Sequence, residues 1–271
     1  MTADREWPGD LGRFGDLDLA HGLADAADRI TTERFGAQDL RIDTKPDHTP
    51  VTDADRAVER RVRDLIARAR PGDAVHGEEF EDTGIGDRRW IIDPIDGTKN
   101  FLRGVPVWAT LIALTVGDEV DTAMVSAPAL GRRWWAVRGH GAFGRDDRLA
   151  PSPRRLTVST IAGLGDASVS YSSLGGWRDR GRRDGFLRLL ESTWRQRAFG
   201  DFWSYMMVAE GLVDIAAEPD VPLYDLAAVS LIVTESGGTF TDLDGAPGPG
   251  GGSAVATNTL LHAAVLDQLR P

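Results

Sequence analysis

An apolar run that stops on two aspartates constrains this chain more than any other stretch. The segment is Trp90-Ile91-Ile92-Asp93-Pro94-Ile95-Asp96-Gly97-Thr98-Lys99-Asn100-Phe101. It predicts a buried strand ending at Asp93 that delivers carboxylates into a cleft, then a turn, then a helix start. Carboxylates this close repel one another, so such a site needs a cation. Hard oxygen donors favour Mg²⁺ or a relative of it. The amides of Gly97 and Thr98, at a helix start, suit a phosphate. The stretch therefore points to metal-assisted phosphate chemistry.

The rest of the chain supports a soluble enzyme. At 271 residues, with 41% hydrophobic and 27% charged residues, it has enough material for an ample core. It contains no cysteine, which excludes disulfides, zinc–thiolate sites and cysteine nucleophiles. The net charge of 31 − 42 = −11 argues against a nucleic-acid-binding surface. The same charge repels a phosphate substrate, and bound divalent cations would reverse the sign locally. Met1-Thr2-Ala3-Asp4-Arg5-Glu6-Trp7-Pro8 has no basic and then apolar leader pattern. No apolar run approaches the length of a membrane span. A cytoplasmic location, without membrane or nucleic-acid partners, is the expectation.

Two rhythms divide the chain. The spacing predicts helices over 17–35 and from a cap at Thr52 to Pro71-Gly72, with a short strand over 74–77. Strands follow over 107–116, 120–126 and 132–137, separated by short turns, as in an antiparallel sheet. Pro151-Ser152-Pro153 is the best linker, dividing an α+β part (1–153) from an α/β part (154–271). In the second part, strands over 167–171, 213–217, 239–243 and 254–256 alternate with helices over 186–191, 202–210 and 225–235. A last helix, capped by Asn258, runs to Leu269. The glycine-rich 248–252 lacks the Gly-Lys-Ser/Thr of a P-loop and is expected to be a turn.

Four acidic elements stand at the ends of apolar segments: Asp55, Glu78, the Asp93/Asp96 pair and Asp225. Three of them have ordinary explanations. Asp55 fits a first-turn acid favoured by the helix dipole. Glu78 and Glu79 fit a solvated loop pair, and Asp225 fits a helix cap. The Asp93/Asp96 pair does not, because two acids at the end of a buried strand are too costly without compensation.

In combination the motifs identify a family. Gly77-Glu78-Glu79, the segment from Trp90 to Phe101, and Leu223-Tyr224-Asp225-Leu226-Ala227-Ala228 resemble the lithium-sensitive, inositol-monophosphatase-like phosphatases, in their order and approximate spacing. The resemblance implies a layered α-β-α-β-α sandwich of the inositol monophosphatase and fructose-1,6-bisphosphatase type. It implies that Glu78, Asp93 and the carbonyl of Ile95 hold one Mg²⁺, and that Asp93, Asp96 and Asp225 hold a second. Glu78 would also reach a third, weaker ion, and Mn²⁺ would substitute. Asp55 would work with Thr98 on the nucleophilic water, and the Gly97 and Thr98 amides would take phosphate oxygens. Glu218 would contact substrate, and Lys45 matches a basic residue of a metal loop. A homodimer is implied. A haloacid-dehalogenase-like motif is excluded, because its aspartates are two apart rather than three.

For the substrate, Asp96 to Leu111 and Gly200-Asp201-Phe202-Trp203-Ser204-Tyr205 look most like histidinol-phosphate phosphatases. Asp201 and Glu218 would bind the cationic amine, and Phe202 or Trp203 would lie against the imidazole. The ordinary explanations are that Trp203 belongs to the core and that Asp201 caps a helix. Inositol 1-phosphate is the alternative substrate, and a silent member that binds a phosphorylated ligand is the second alternative. Arg178, Arg180, Arg182 and Arg183 are expected on a solvated loop or against a neighbouring subunit. None of His21, His48, His76, His140 and His262 is assigned a catalytic role.

Overall fold

The computed structural model describes residues 11–45 and 49–271. The N-terminal octapeptide and His48 lie outside them. Helix α1 spans Leu11–Arg34 and α2 spans Asp53–Ala69. In α2 the buried Val58, Val62 and Ile66 recur every four residues and form one apolar face. Thr52 caps its start, and the helix stops just before Pro71-Gly72, as expected. Between the two helices lies a short antiparallel hairpin, β1 (Ile42–Thr44) with β2 (Pro50–Thr52).

The first large sheet follows. Its strands are β3 (Ala74–Gly77), β4 (Arg88–Asp96), β5 (Ala109–Val116), β6 (Glu119–Ala127), β7 (Arg132–Val137), β8 (Gly141–Asp146) and β9 (Ala150–Arg155). They lie side by side in chain order. All neighbours are antiparallel except β3 and β4, which run parallel. A five-residue helix, α3 (Thr98–Leu102), interrupts the sequence after β4. Two expectations change here. Strand β4 continues through Asp96 instead of ending at Asp93. Pro151-Ser152-Pro153 lies in the edge strand β9 and is no linker, since edge strands tolerate residues that cannot donate to a ladder.

The second sheet contains β10 (Ser168–Ser170), β11 (Arg195–Arg197), β12 (Ile215–Glu218), β13 (Thr239–Thr241) and β14 (Ala254–Thr257) in the order β11-β10-β12-β14-β13. Strand β14 runs antiparallel to both neighbours, so the sheet is mixed. Its helices are α4 (Arg183–Glu191), α5 (Asp201–Ala209), α6 (Leu223–Glu235) and α7 (His262–Gln268). Helix α7 begins later than its expected cap. Asn258 instead ties Ser159 Oγ at 2.9 Å and the Ile161 carbonyl at 2.7 Å to the start of the last turn.

The layers are α1/α2, the seven-stranded sheet, α5/α6, the five-stranded sheet, and α4/α7. This is the expected α-β-α-β-α sandwich. Helix α6 is apolar all round, because it is buried between two sheets. One continuous core runs from Ile91 and Leu111 through Phe202 and Leu226 to Ala256 and so joins the two halves. No helix among the described residues is long and apolar enough to cross a membrane.

Candidate active site

Side chains alternate along a strand, so residues three apart should point to opposite faces. Asp93 and Asp96 escape this rule through a bulge. Asp93 pairs with Leu111 and Asp96 with Ala109, so three steps on β4 match two on β5. The extra residue is accommodated at Pro94-Ile95, where the ladder breaks and proline's missing donor costs nothing. The freed groups are satisfied locally. Thr110 Oγ1 donates to the Pro94 carbonyl at 2.8 Å, and the Ile95 amide donates to Asp93 Oδ1 at 2.9 Å. Asp225, in the first turn of α6, completes the group. One carboxylate oxygen from each of Asp93, Asp96 and Asp225 lies within 4.8 Å of the others.

Gly97 then turns the chain into α3. Its φ of +84° is left-handed, and a Cβ there would lie 3.0 Å from the Val107 carbonyl. Thr98 Oγ1 donates to the Ile95 carbonyl at 3.0 Å. The Gly97 and Thr98 amides lie at the helix start, where no intrahelical acceptor exists. Asp93, Ile95, Asp96, Gly97, Thr98 and Asp225 line one cavity of about 690 Å³, together with Glu78, Asp201, Glu218, Asp220 and Tyr224; Asp55 and Lys45 are not among its lining residues.

The cavity is dominated by uncompensated acid. Burial pushes the Asp93 carboxyl well up, and the charges of Glu78, Asp225 and Asp96 add to this. Asp96 is raised in the same way by burial and by Asp201 and Asp225. Asp225 is pushed to about 8, chiefly by burial, although a hydrogen bond with Asp93 opposes the shift. The donor set is all oxygen and carries excess negative charge in a buried place, which fits a hard divalent cation. Lys45 is one local counter-charge, and its Nζ lies 2.7 Å from both Glu78 and Glu79.

The two oxygens of Asp55 have different surroundings. One oxygen, Oδ2, accepts the Thr52 amide at 2.8 Å and Thr52 Oγ1 at 2.5 Å, closing a capping box at the start of α2. The other, Oδ1, is buried and has no hydrogen-bond partner among the described residues. Burial raises this carboxyl to about 6, with the charge of Glu78 contributing. The first-turn acid expected from the sequence is therefore real, and it leaves one buried oxygen without a hydrogen-bond partner among the described residues.

The opposite wall comes from the second half of the chain. Glu218, at the end of β12, accepts Tyr205 Oη at 2.5 Å and a short bond from Ser172 Oγ. Burial raises it to about 7. Asp201 opens α5 with a left-handed φ of +51°, which aspartate tolerates better than most residues. Asn100 Nδ2 donates to its Oδ2 at 3.0 Å and to the Val107 carbonyl at 2.9 Å. The Phe202 amide donates to Asp96 Oδ2 at 2.6 Å, so α5 also bears on the acidic cluster.

Trp203 is not brought to this cavity. It is half-buried against Phe199, with ring centroids 5.5 Å apart, and its Nε1 is buried without a partner among the described residues. Phe202 does line a smaller recess beside Asp96, Asp201 and Glu218. The arginine cluster is not simply solvated. Arg180 pairs with Asp220 at 2.8 Å, and Arg182 bonds Asp244 and the carbonyls of Leu243 and Leu269. Thr52, Asn100, Ser172, Tyr205 and Tyr224 were not foreseen as part of the site. Asn100 and Tyr224 sit inside recognisable motifs. Tyr205 ends the 200–205 stretch, whereas Ser172 carries no local signal, because its partner Glu218 is distant in sequence.

Similarity to known proteins spans nearly the whole chain. Residues 16–270 match the model of the inositol monophosphatase family. A histidinol-phosphatase of Streptomyces coelicolor is 60% identical over 94% of this chain and 96% of its own length. One from Mycobacterium tuberculosis is 61% identical over 94% of this chain and 97% of its own. Among solved structures, an inositol monophosphatase from Thermotoga maritima superposes with a TM-score of 0.83 at 29% identity, covering 94% of this chain and 96% of that one. With the bulged acid pair, the Asp225 helix and the layered fold in place, the chain belongs to the inositol monophosphatase family.

Proposed function

We propose that this protein is a metal-dependent phosphatase that hydrolyses L-histidinol phosphate to L-histidinol and phosphate. The observation that carries the phosphatase reading is the convergence of the Asp93, Asp96 and Asp225 carboxylates within 4.8 Å. The relatives at about 60% identity support the choice of substrate. Asp93, Asp96, Asp225, Glu78 and the Ile95 carbonyl would hold two or three divalent cations. The hard donors favour Mg²⁺, with Mn²⁺ as a substitute. Bound there, the cations would acidify a water and neutralise charge on the phosphoryl oxygens.

The chain's own residues do the rest. Asp55 Oδ1 accepts a hydrogen bond from the attacking water, and Thr98 Oγ1 aligns that water. The water gives up one proton as its oxygen bonds to phosphorus and the ester P–O bond breaks, and the departing alkoxide takes one up, so no net proton is gained or lost. The Gly97 and Thr98 amides hold phosphoryl oxygens. Asp201 and Glu218 face the substrate's ammonium group as carboxylates. Trp203 acts from behind, by packing, and Phe202 and Tyr224 are the aromatic groups nearer the ring. The working form is a cytoplasmic homodimer whose partner is a small phosphorylated metabolite, with no role for nucleic acid or membrane. Residues 1–153 supply most of the metal-holding groups, and 154–271 supply Asp225 and the substrate wall.

The test is phosphate release with Mg²⁺, with and without EDTA, on L-histidinol phosphate and inositol 1-phosphate. The proposal expects a preference of about tenfold or more in kcat/KM for histidinol phosphate, equivalent to about 1.4 kcal/mol. Preference for inositol 1-phosphate keeps the metal site and overturns the substrate. No turnover on either would make the chain a silent phospho-ligand binder.

A further inference from the structure

Glu59 is a carboxylate that the proposed reaction does not use. It lies in the middle of α2, one helical turn after Asp55, and is fully buried. A buried acid costs several kcal/mol unless its lone pairs are filled. Its oxygens are filled almost entirely by one distant turn. Oε2 accepts the Glu79 amide at 2.7 Å, and Oε1 accepts the Phe80 amide at 3.3 Å and Arg63 Nε at 2.8 Å. Arg63 reaches the same turn, donating to the Phe80 carbonyl and to Thr83 Oγ1, both at 3.1 Å.

Gly77 shows how closely the carboxylate is seated. A Cβ on Gly77 would lie 2.1 Å from Glu59 Oε1, well inside contact distance. Gly77 sits at the end of β3, immediately before Glu78, so its missing side chain makes room for the carboxylate. Residues four apart lie on one helix face, so the same face of α2 carries Asp55 and Glu59. One short piece of rigid helix thus holds both the water-facing Asp55 and the turn that presents Glu78.

We propose that Glu59 is a positioning residue: by fastening the 77–80 turn to α2 it sets the separation between Glu78 and Asp55, and hence the affinity of the cation site that Glu78 serves. The proposal rests on the metal reading above. Glu59 does not touch the cation or the substrate. It acts through the backbone amides of Glu79 and Phe80 and makes no bond to the Glu78 side chain, which pairs with Lys45.

The test uses the full-length protein stripped with EDTA. Mn²⁺ binding is measured by electron paramagnetic resonance, and the Mg²⁺ concentration for half-maximal phosphate release is measured alongside. Glu59→Gln keeps the side chain's size but cannot accept both amides as a carboxylate does. It should weaken binding at one site by about tenfold or more, the usual scale for groups that orient a metal ligand. At saturating Mg²⁺, kcat should return to within about threefold of the wild type. Gly77→Ala leaves Glu59 in place but displaces its carboxylate, and it should give the same loss with the same metal rescue. It serves as the second arm if Glu59→Gln does not fold. Unchanged metal affinity in a folded variant, or a loss of kcat that excess Mg²⁺ does not restore, overturns the proposal. A wild type that binds no Mn²⁺ overturns the metal reading and this proposal with it.

Discussion

The two walls of the cavity are built in contrasting ways. The wall from the first half of the chain is mostly local. Asp93, Ile95, Asp96, Gly97 and Thr98 come from six consecutive residues, and one bulge aims the acids. The wall from the second half is assembled from afar. Glu218 is held by Ser172 and Tyr205, and Asp201 is held by Asn100, which is 101 residues away. The acids of the first wall are set by a short segment, where one backbone irregularity is enough to bring them together. In the proposed reaction, substrate selection would be spread over several elements, where single changes can retune it.

The contrast breaks most sharply at Asp93. Asp93→Asn should lower kcat by roughly a thousandfold, about 4 kcal/mol of barrier, while the EDTA-treated protein melts no lower than the wild type. Removing one charge relieves repulsion from Glu78, Asp225 and Asp96. Phosphate release and thermal melts together check this. A small loss of activity would mean that the local wall does not carry the reaction.

Asp201→Asn tests the assembled wall. It should lower kcat/KM on histidinol phosphate by about a hundredfold and that on inositol 1-phosphate by less than about threefold, because only the first substrate offers a cation to a buried carboxylate. Equal losses on both would erase the distinction between the walls.

Two buried acids from the second half of the chain give the metal-free protein a pH effect. Asp225 and Glu218 have folded values near 8 and 7, above their ordinary values of 3.8 and 4.5. Between those limits the folded state binds more protons than the unfolded chain, so stability falls as pH rises. The contribution is fully present below about pH 4 and is lost through pH 7 to 8. Melting temperatures in EDTA should therefore drop by several degrees from pH 5 to pH 8, and saturating Mg²⁺ should flatten the curve. A melting temperature that rises over this range without metal would contradict the buried-acid picture.

The smallest effect is expected at Trp203. Trp203→Phe keeps an aromatic ring beside Phe199. It should change the KM for histidinol phosphate by less than about twofold, with at most about 1.5 kcal/mol lost in stability. A large rise in KM would bring Trp203 back to the substrate wall.

Much of the site was visible in the sequence. Asp93, Asp96, Gly97, Thr98, Glu78 and Asp225 stand in short motifs, and Asp55 follows from the Thr52 cap. Pro151-Ser152-Pro153 reads as a linker in the sequence but lies in β9, because proline signals equally a loop and an edge strand. Trp203 was drawn toward the substrate because helical spacing alone does not say which face of α5 meets the cavity. The arginine cluster looked solvated because Asp220 and Asp244, its partners, lie far along the chain.

By itself the sequence determined the chemistry at the end of β4, since a buried strand cannot end on two acids without a cation, and adjacent residues need no help to meet. The hydrophobic periods marked most of the helices and strands, and the motifs' resemblance to a family implied how they layer. Only the tertiary structure decided which oxygen of Asp55 is free, that Glu59 fastens the Glu78 turn, and that Asn100 holds Asp201. Those outcomes depend on groups that are far apart in the chain and come within hydrogen-bond range only when α2, α5 and the two sheets are packed.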